Sequence, residues 1–449
     1  VDTSVIFKAY DVRGTYPDQL NERIAQAIGS AFATFATSPR IVIARDMRAS
    51  GVALSEAFAT GARSVGVEVV DLGLGSTDFL YFASGFLDVP GVMFTASHNP
   101  AKYNGIKLCL AGAKPVGLES GLVEVEAMAN EFYATPATGD LALYTTLDLT
   151  NEWVTHVHSF VDIDSFRPLK IVADTANGMG GFVAPLVFAD LPFDLEILFP
   201  ELDGNFPNHA ADPLNPENLK DLQRRVLATG ADVGLAFDGD ADRVFLIDEK
   251  AQPLSGSTTT AMVATAMLER YPGATILYNL ICSKTVPEVI AEEGGVSLRT
   301  RVGHSYIKQI MAESGAVFGG EHSGHYYYRD NYRADSGIIT AFVVLELMSV
   351  ASVPLSELAK PFLRYADSGE INTEVADPVA TVQRMTKKLE AEGVTIDLLD
   401  GLTALYDDWW FNLRPSNTEP LLRLNLEAKD DASCQAHVDE VLAQLKEIG

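Results

Sequence analysis

Three aspartates, Asp238, Asp240 and Asp242, occupy every second position of Asp-Gly-Asp-Ala-Asp-Arg, directly after the apolar run Val233 to Phe237. In extended backbone alternate side chains share a face, and a loop can also wrap them round one ion. Carboxylates this close repel one another unless a cation neutralises them, and an all-oxygen ligand set suits Mg²⁺ or Ca²⁺. The competing readings are a solvated acidic turn and an EF-hand, since Glu249 is the twelfth residue counted from Asp238. The EF-hand fails on Arg243 at its sixth position, where glycine is needed, and on the β-like run Val244 to Ile247 that follows. Arg243, beside the acids, is placed to hold a phosphate or to pin a ligand carboxylate.

A second stretch carries a hydroxyl to a comparable place. The apolar run Val92-Met93-Phe94 stops at Thr95-Ala96-Ser97-His98-Asn99-Pro100. Buried strands of α/β domains put their chemistry just past the C-terminal end, so Ser97 sits where a ligand would meet it. A plain ST- or Asx-turn closed by proline has the same composition. Further on, Arg414-Pro415-Ser416-Asn417-Thr418-Glu419-Pro420 gathers a guanidinium, two hydroxyls and an amide between stiffening prolines, the make-up of a phosphate cradle, with Arg423 as a further cation. In Gly320-Glu321-His322-Ser323-Gly324-His325 an extended chain would point Glu321, Ser323 and His325 the same way, a polar face suited to sugar hydroxyls; a Gly-rich hairpin is the alternative. Arg13, Lys107, Lys284 and His304 are isolated cations or loop histidines, each ordinary alone, and Tyr10 reads as packing.

The elements that must position these groups follow a repeated pattern. A helix is expected from about Glu22 to Phe35 and a strand at Ile41 to Ala44, with Ser50 able to cap the next helix. Further strands are expected at Val65 to Val70, Leu169 to Asp174, Ala231 to Phe237 and Ala274 to Asn279. Asn104-Gly105 carries a turn signal ahead of an alternating strand, so Lys107 would return toward Ser97. Strand, polar loop and helix recur after Ile41, Leu169 and Ala274, which suggests three related α/β domains around a cleft lined by equivalent loops. From about residue 365 the pattern changes to α+β, with helices near Val379 to Glu392 and Ala432 to Leu445. The boundaries fall at 1–146, 147–250, 251–363 and 364–449, consistent with 449 residues being too many for one core.

Composition narrows the class. The net charge of −28, from 61 acidic against 33 basic residues, argues against a nucleic-acid partner. An anionic substrate must then be held by a few local Arg and Lys side chains. Cys109, Cys282 and Cys434 are too few and too far apart for a disulfide framework or a metal-ligand spacing, which favours a reducing compartment. Neither a signal-like segment nor an uncharged apolar run of membrane-spanning length is seen, so a cytoplasmic protein with no membrane partner is expected. A loop serine, an acidic trio, a sugar-reading loop and a phosphate cradle together point to phosphoryl transfer on a phosphorylated sugar. A phosphatase, or a sugar-phosphate-binding protein without activity, are the rival classes.

The four motifs Thr95 to Pro100, Asp238 to Arg243, Gly320 to His325 and Arg414 to Pro420 resemble, in order, the signatures of the α-D-phosphohexomutases, one in each inferred domain. The resemblance implies three α/β domains with mixed sheets and a TATA-binding-protein-like α+β fourth domain around a central cleft. It implies that Ser97 is carried as phosphoserine, with an oxygen of that group joining Asp238, Asp240 and Asp242 on Mg²⁺. It further implies that Glu321 and Ser323 grip the sugar's O3 and O4, and that Arg414, Ser416, Asn417 and Thr418 hold the non-reacting phosphate. Arg13, Lys107, Lys284, His304 and His325 resemble residues that hold phosphate or assist proton transfer, and Arg243 an arginine on the phosphoserine side. In the implied cycle phosphoserine phosphorylates a hexose monophosphate, the hexose 1,6-bisphosphate turns end for end, and the opposite phosphate returns to Ser97. Closure by the fourth domain would exclude water. Glu-His-Ser with Arg-Pro-Ser-Asn-Thr resembles the phosphomannomutase/phosphoglucomutase branch, whereas the glucosamine branch, the alternative, more typically shows Glu-Gln-Ser and Arg-Pro-Ser-Gly-Thr. Ala96 and Ala241 stand where glycine is also common, and neither removes a ligand. A monomer or homodimer is expected.

Overall fold

The computed structural model describes residues 3–415 and 421–448 in four domains. In the first, the sheet runs in the order Val12–Thr15, Tyr103–Leu110, Gly91–Phe94, Arg40–Arg45, Glu68–Leu74, Tyr144–Thr146. Gly91–Phe94, Glu68–Leu74 and Tyr144–Thr146 belong to its parallel part, while Tyr103–Leu110 returns antiparallel beside Gly91–Phe94. The second sheet has the order Val244–Asp248, Val233–Phe237, Leu169–Asp174, Phe193–Leu198, and the third Val296–Thr300, Thr275–Asn279, Phe318–Gly320, Tyr326–Tyr328. Each of these three sheets contains one motif: a strand parallel to its central neighbour, then a hairpin back as an antiparallel strand. The fourth sheet is wholly antiparallel, in the order Ala366–Glu374, Leu421–Ala428, Trp409–Pro415, Leu402–Leu405, Thr395–Asp397. Helices Pro378–Ala391 and Asp431–Ile448 bury Met385, Leu389, Val438 and Val441 against it.

Local sequence explains the elements well. Asn21 caps the helix Glu22–Ala36 by accepting from the Ile24 N–H, and Ile24, Ile28, Ala31 and Phe32 give it one buried apolar stripe. Ser76 and Ser336 cap Thr77–Leu87 and Gly337–Ala351 in the same way. Two expectations are corrected. Ser50 precedes the helix Gly51–Ser64 but makes no side-chain cap; its hydroxyl accepts from Asn104 Nδ2 instead. Asn104-Gly105 is not a turn but lies inside the strand Tyr103–Leu110. Glycine is needed there for close packing, since a Cβ would meet the carbonyl oxygens of Val12 and Thr95 at 2.6 and 2.7 Å.

One apolar core runs through the first three domains, from Val42 and Phe82 through Trp153 and Leu235 to Phe342, whereas the fourth domain has a core of its own. Polar bonds join the fourth domain to the third: Glu427 to the Lys284 N–H, Asp400 to the Val302 N–H, and Asp397 to Arg299. The first three domains are therefore packed through shared apolar contacts, and the fourth is tied to them by hydrogen bonds and ion pairs. Among the described residues no single helix is long and apolar enough to cross a membrane. The long apolar helix Gly337–Ala351 is buried in the shared core through Ile338, Phe342 and Leu345.

Candidate active site

The three hairpins present equivalent loops. Residues 95–102 follow the strand Gly91–Phe94, residues 238–243 follow Val233–Phe237, and residues 321–325 follow Phe318–Gly320. The first two loops touch directly. Ser97 adopts a left-handed backbone, with φ of 47°, its N–H donating to Thr95 Oγ1 at 2.9 Å. From there its hydroxyl donates to Asp238 Oδ2 at 2.8 Å, across the domain boundary. Gly239 makes this approach possible, because a Cβ at that position would lie 2.4 Å from the Ser97 carbonyl oxygen. Ser97 is buried, with 6% of the residue exposed.

All three aspartates are essentially sealed from solvent, and their ligand atoms lie within 4.8 Å of one another. Lys107, from the antiparallel strand of the first domain, reaches Oδ2 of both Asp240 and Asp242 at 2.8 Å. Arg243 donates from Nε to Asp238 Oδ2 at 3.0 Å and from Nη2 to His98 Nδ1 at 2.7 Å. Because a guanidinium only donates, His98 Nδ1 must be the bare nitrogen. Burial pushes the Asp238 carboxyl up to about 7 against the pull of Arg243, with Asp242 and Asp240 adding to the rise. Burial acts on Asp240 too, but the Lys107 ammonium and the Thr77 hydroxyl outweigh it and hold that carboxyl well below its usual range. The same pairing keeps Lys107 protonated in spite of its burial.

Three buried carboxyl groups thus face two permanent cations, Lys107 and Arg243, and the excess is acidic. Asp240 Oδ1 and Asp242 Oδ1 are buried and have no hydrogen-bond donor. Two orphaned carboxylate oxygens beside a third carboxylate are the donor set of a hard divalent cation, and these residues fit one. Asp242, His325 and Asp335 form a second close group, but His325 Nδ1 is already bonded to Asp335 Oδ2 at 2.8 Å. Lys308 lies 3.1 Å from the other oxygen of Asp335. Burial works against the charged form of His325, yet the Asp242 and Asp335 carboxylates raise its pKa.

The third loop is a tight hairpin turn and not an extended segment. The Glu321 N–H donates to the His325 carbonyl, the Gly324 N–H to that of Glu321, and Gly324 has φ of 85°. The shared-face expectation for Glu321, Ser323 and His325, which needed an extended chain, is therefore replaced by a turn. Glu321 is buried and fully oriented: Oε1 accepts from the Gly303 N–H and Asn279 Nδ2, and Oε2 from the Tyr327 hydroxyl at 2.7 Å. Ser323 is half-buried on the same turn. Arg13 donates to Asn99 Oδ1 at 2.6 Å and pairs with Asp11, which places it on the Ser97 loop. Arg414 and Arg423 face each other across adjacent strands, and Glu370 lies 3.0 and 3.6 Å from them. Lys284 begins the helix Thr285–Glu292, its N–H tied to Glu427. Ser416, Asn417, Thr418 and the His304 side chain lie outside the described residues.

Family models for phosphoglucomutase/phosphomannomutase match all four domains in order: alpha/beta/alpha domain I at residues 4–132, domain II at 151–252, domain III at 255–365 and the C-terminal domain at 370–444. The chain belongs to the phosphoglucomutase/phosphomannomutase family. It is 39% identical to a phosphomannomutase of Escherichia coli over 95% of each chain, and 38% identical to a protein of Xanthomonas campestris described as phosphohexose mutases over 95% of this chain and 96% of that one. The crystal structure of a phosphoglucomutase/phosphomannomutase family protein from Burkholderia thailandensis superposes with a TM-score of 0.90 at 32% identity, covering 99% of this chain and 98% of that one.

As a member of this family the chain is a phosphohexomutase, transferring phosphate within a sugar phosphate through a phosphoserine enzyme and a bisphosphate. Its cluster contains polar groups that no motif marked. Thr77 donates to Asp240 at 2.5 Å, Asp335 orients His325, and Asn279 and Tyr327 orient Glu321. Each sits beside an ordinary helix start or inside an apolar strand, so nothing in its sequence neighbourhood separates it from a packing residue.

Proposed function

We propose that the protein interconverts hexose 1-phosphate and hexose 6-phosphate, with mannose and glucose as the sugars, and that Ser97 carries the phosphoryl group. The observation that carries this reading is the Ser97 hydroxyl 2.8 Å from Asp238, in a buried acid cluster with two spare carboxylate oxygens. Asp238, Asp240 and Asp242 would hold Mg²⁺ with an oxygen of the phosphorylated serine; bound there, the ion supplies charge neutralisation to the transferring phosphate. The remaining work belongs to the chain. Arg13, braced by Asp11, and Arg243, braced by Asp238, bring guanidiniums to the two sides of the Ser97 loop. Such donors, fixed before the reaction, stabilise the charge that spreads over the transferring phosphoryl oxygens. His325 is the group for the proton of the attacking hydroxyl, since Asp335 takes its Nδ1 and leaves Nε2 for transfer, while Lys107, held as an ammonium by Asp240 and Asp242, adds positive charge beside the transferring phosphate.

Glu321 and Ser323 read two sugar hydroxyls, while Arg414, Arg423, Lys284, His304 and residues 416–418 hold the far phosphate. A grip on O3 and O4 is indifferent to which end of the sugar points at Ser97, as a bisphosphate that must turn end for end requires. The same grip leaves C2 unread, and mannose and glucose are both accepted. Discrimination against the amino group of glucosamine therefore has to come from outside that grip, and it is expected because Glu-His-Ser with Arg-Pro-Ser-Asn-Thr resembles the branch acting on mannose and glucose. Two measurements test the proposal. Intact mass of the purified protein should show one added phosphate, absent in Ser97→Ala along with turnover. With hexose bisphosphate supplied, kcat/KM should be similar for the 1-phosphates of mannose and glucose and at least tenfold lower for glucosamine 1-phosphate. A strong amino-sugar preference, or full turnover in Ser97→Ala, overturns it.

A further inference from the structure

Arg45-Asp46-Met47-Arg48, the loop leaving the strand Arg40–Arg45, ends in one of the most deeply buried arginines of the chain: Arg48 is 2% exposed. Its guanidinium has no donor left for a ligand. Nε donates to Asp46 Oδ2 at 3.2 Å. Nη1 donates to the carbonyls of Pro100 and Tyr103 at 3.1 and 2.9 Å, and Nη2 to those of Ser97 and Asn99 at 2.8 and 2.7 Å. These bonds use all five N–H groups of an arginine fork. Four of the acceptors are main-chain oxygens, three of them, Ser97, Asn99 and Pro100, on the loop that carries Ser97 and the fourth, Tyr103, opening the strand that follows it. The ring of Phe206, from the second domain, lies 5.2 Å from the guanidinium carbon.

We propose that Arg48 is the positioning residue for the phosphoryl-carrying serine. The Ser97 loop turns its carbonyls inward upon a single cation, so its register is set by the guanidinium and not by a sheet. Ser97 itself stands in the left-handed region that a residue with a side chain seldom adopts. Its N–H is tied to Thr95 and its carbonyl to Arg48, so only rotation about the Cα–Cβ bond remains for the hydroxyl. That is the freedom a carrier needs. The serine must serve as donor in one half of the cycle and acceptor in the other, at one fixed distance from the acid trio. Phe206 ties the clamp to the domain that supplies those acids, so the two halves of the cluster keep their register across the domain boundary. A lysine would keep the charge, but its three donors from one nitrogen cannot reach four carbonyls and Asp46 together. Because Arg48 has no donor left for the sugar phosphate, its loss acts on the rate and not on substrate affinity.

This inference rests on Ser97 being the carrier, which the mass measurement on Ser97→Ala tests separately. The experiment is steady-state kinetics of Arg48→Lys with hexose 1-phosphate, with thermal unfolding and phosphate content measured on the same preparation. The expected result is a kcat lower by about a hundredfold, a KM within about threefold of wild type, and phosphate still found on Ser97. A kcat within about threefold of wild type, or a KM that rises as far as kcat falls, overturns the proposal. Should Arg48→Lys fail to fold, Phe206→Leu keeps every hydrogen bond of the clamp and removes only its aromatic cover. It should lower kcat about fivefold at constant KM, and an unchanged kcat in that variant overturns the proposal. Phosphate on a residue other than Ser97 would instead overturn the carrier assignment itself.

Discussion

Replacing Lys107 by methionine tests how charge is balanced in the acid cluster. The ammonium sits 2.8 Å from one oxygen each of Asp240 and Asp242, and its side chain is 10% exposed. Methionine fills the same space without charge. Arg243, paired with Asp238, would then be the one Lys or Arg side chain among the described residues bonded to the trio, and the cluster would carry one more uncompensated negative charge than it does now. Removing one partner of a buried ion pair costs about 3–5 kcal/mol, so the metal-free variant should unfold about 3–5 °C below wild type, at about 1 °C per kcal/mol for a chain of 449 residues. The same loss has the opposite sign for metal binding. Lys107 occupies one oxygen of each carboxylate and repels any cation on the other, so its removal should tighten a divalent ion by about tenfold or more. Saturating Mg²⁺ should therefore recover most of the lost stability, by mass action on the folded state. The assay is thermal unfolding of both proteins in EDTA and in Mg²⁺, with the affinity taken by calorimetry. A metal-free variant within about 1 kcal/mol of wild type, or one that binds the ion more weakly, would refute the charge accounting. Turnover should fall in either event, so activity alone does not decide the question.

Three further outcomes follow from other parts of the cluster. Asp78, buried at the start of the helix Thr77–Leu87, accepts from Ser76 and Ser336, and burial pushes its carboxyl up to about 7. Because the folded value is raised above the unfolded one, its contribution is complete below the unfolded value and is lost as pH rises through 7. Wild type should therefore gain about 2 kcal/mol over Asp78→Asn on going from pH 7 to 5.5, read by urea unfolding at the two pH values, and an equal difference at both would contradict it. Glu321→Gln, which sets an amide against the donors from Gly303, Asn279 and Tyr327, should lower kcat/KM about 10- to 100-fold and leave the phosphate on Ser97 in place. Loss of that phosphate in the variant would place Glu321 on the transfer side instead. Glu370→Gln removes the carboxylate shared by Arg414 and Arg423, so KM for the sugar phosphate should fall about threefold and become more sensitive to salt; a KM that rises would mean that Glu370 holds the two guanidiniums in their binding geometry.

The sequence by itself determined the class of the molecule. Apolar runs of five or six residues ending in polar loops located the strands Leu169–Asp174 and Val233–Phe237 to within two residues, since a buried strand has to be apolar on both faces. It also marked Ser97, the acid trio and Glu321, which stand in loops whose composition makes little sense as packing, and Arg414, which ends a strand ahead of such a stretch. Three things required the tertiary structure. Asn104-Gly105 reads as a turn until Val12 and Thr95 are seen pressing on the glycine. The hairpin at Glu321 to His325 closes through hydrogen bonds that composition does not distinguish from an extended chain. Arg48, Thr77 and Asp335 look like any polar residue near a helix or loop, and acquire a role only when partners up to 163 residues away fold against them. The physical reason is one of range. Secondary structure and loop polarity are written in neighbours along the chain, but the charge and hydrogen-bond state of a buried group is set by whatever the fold brings within about 4 Å of it, which no local spacing records.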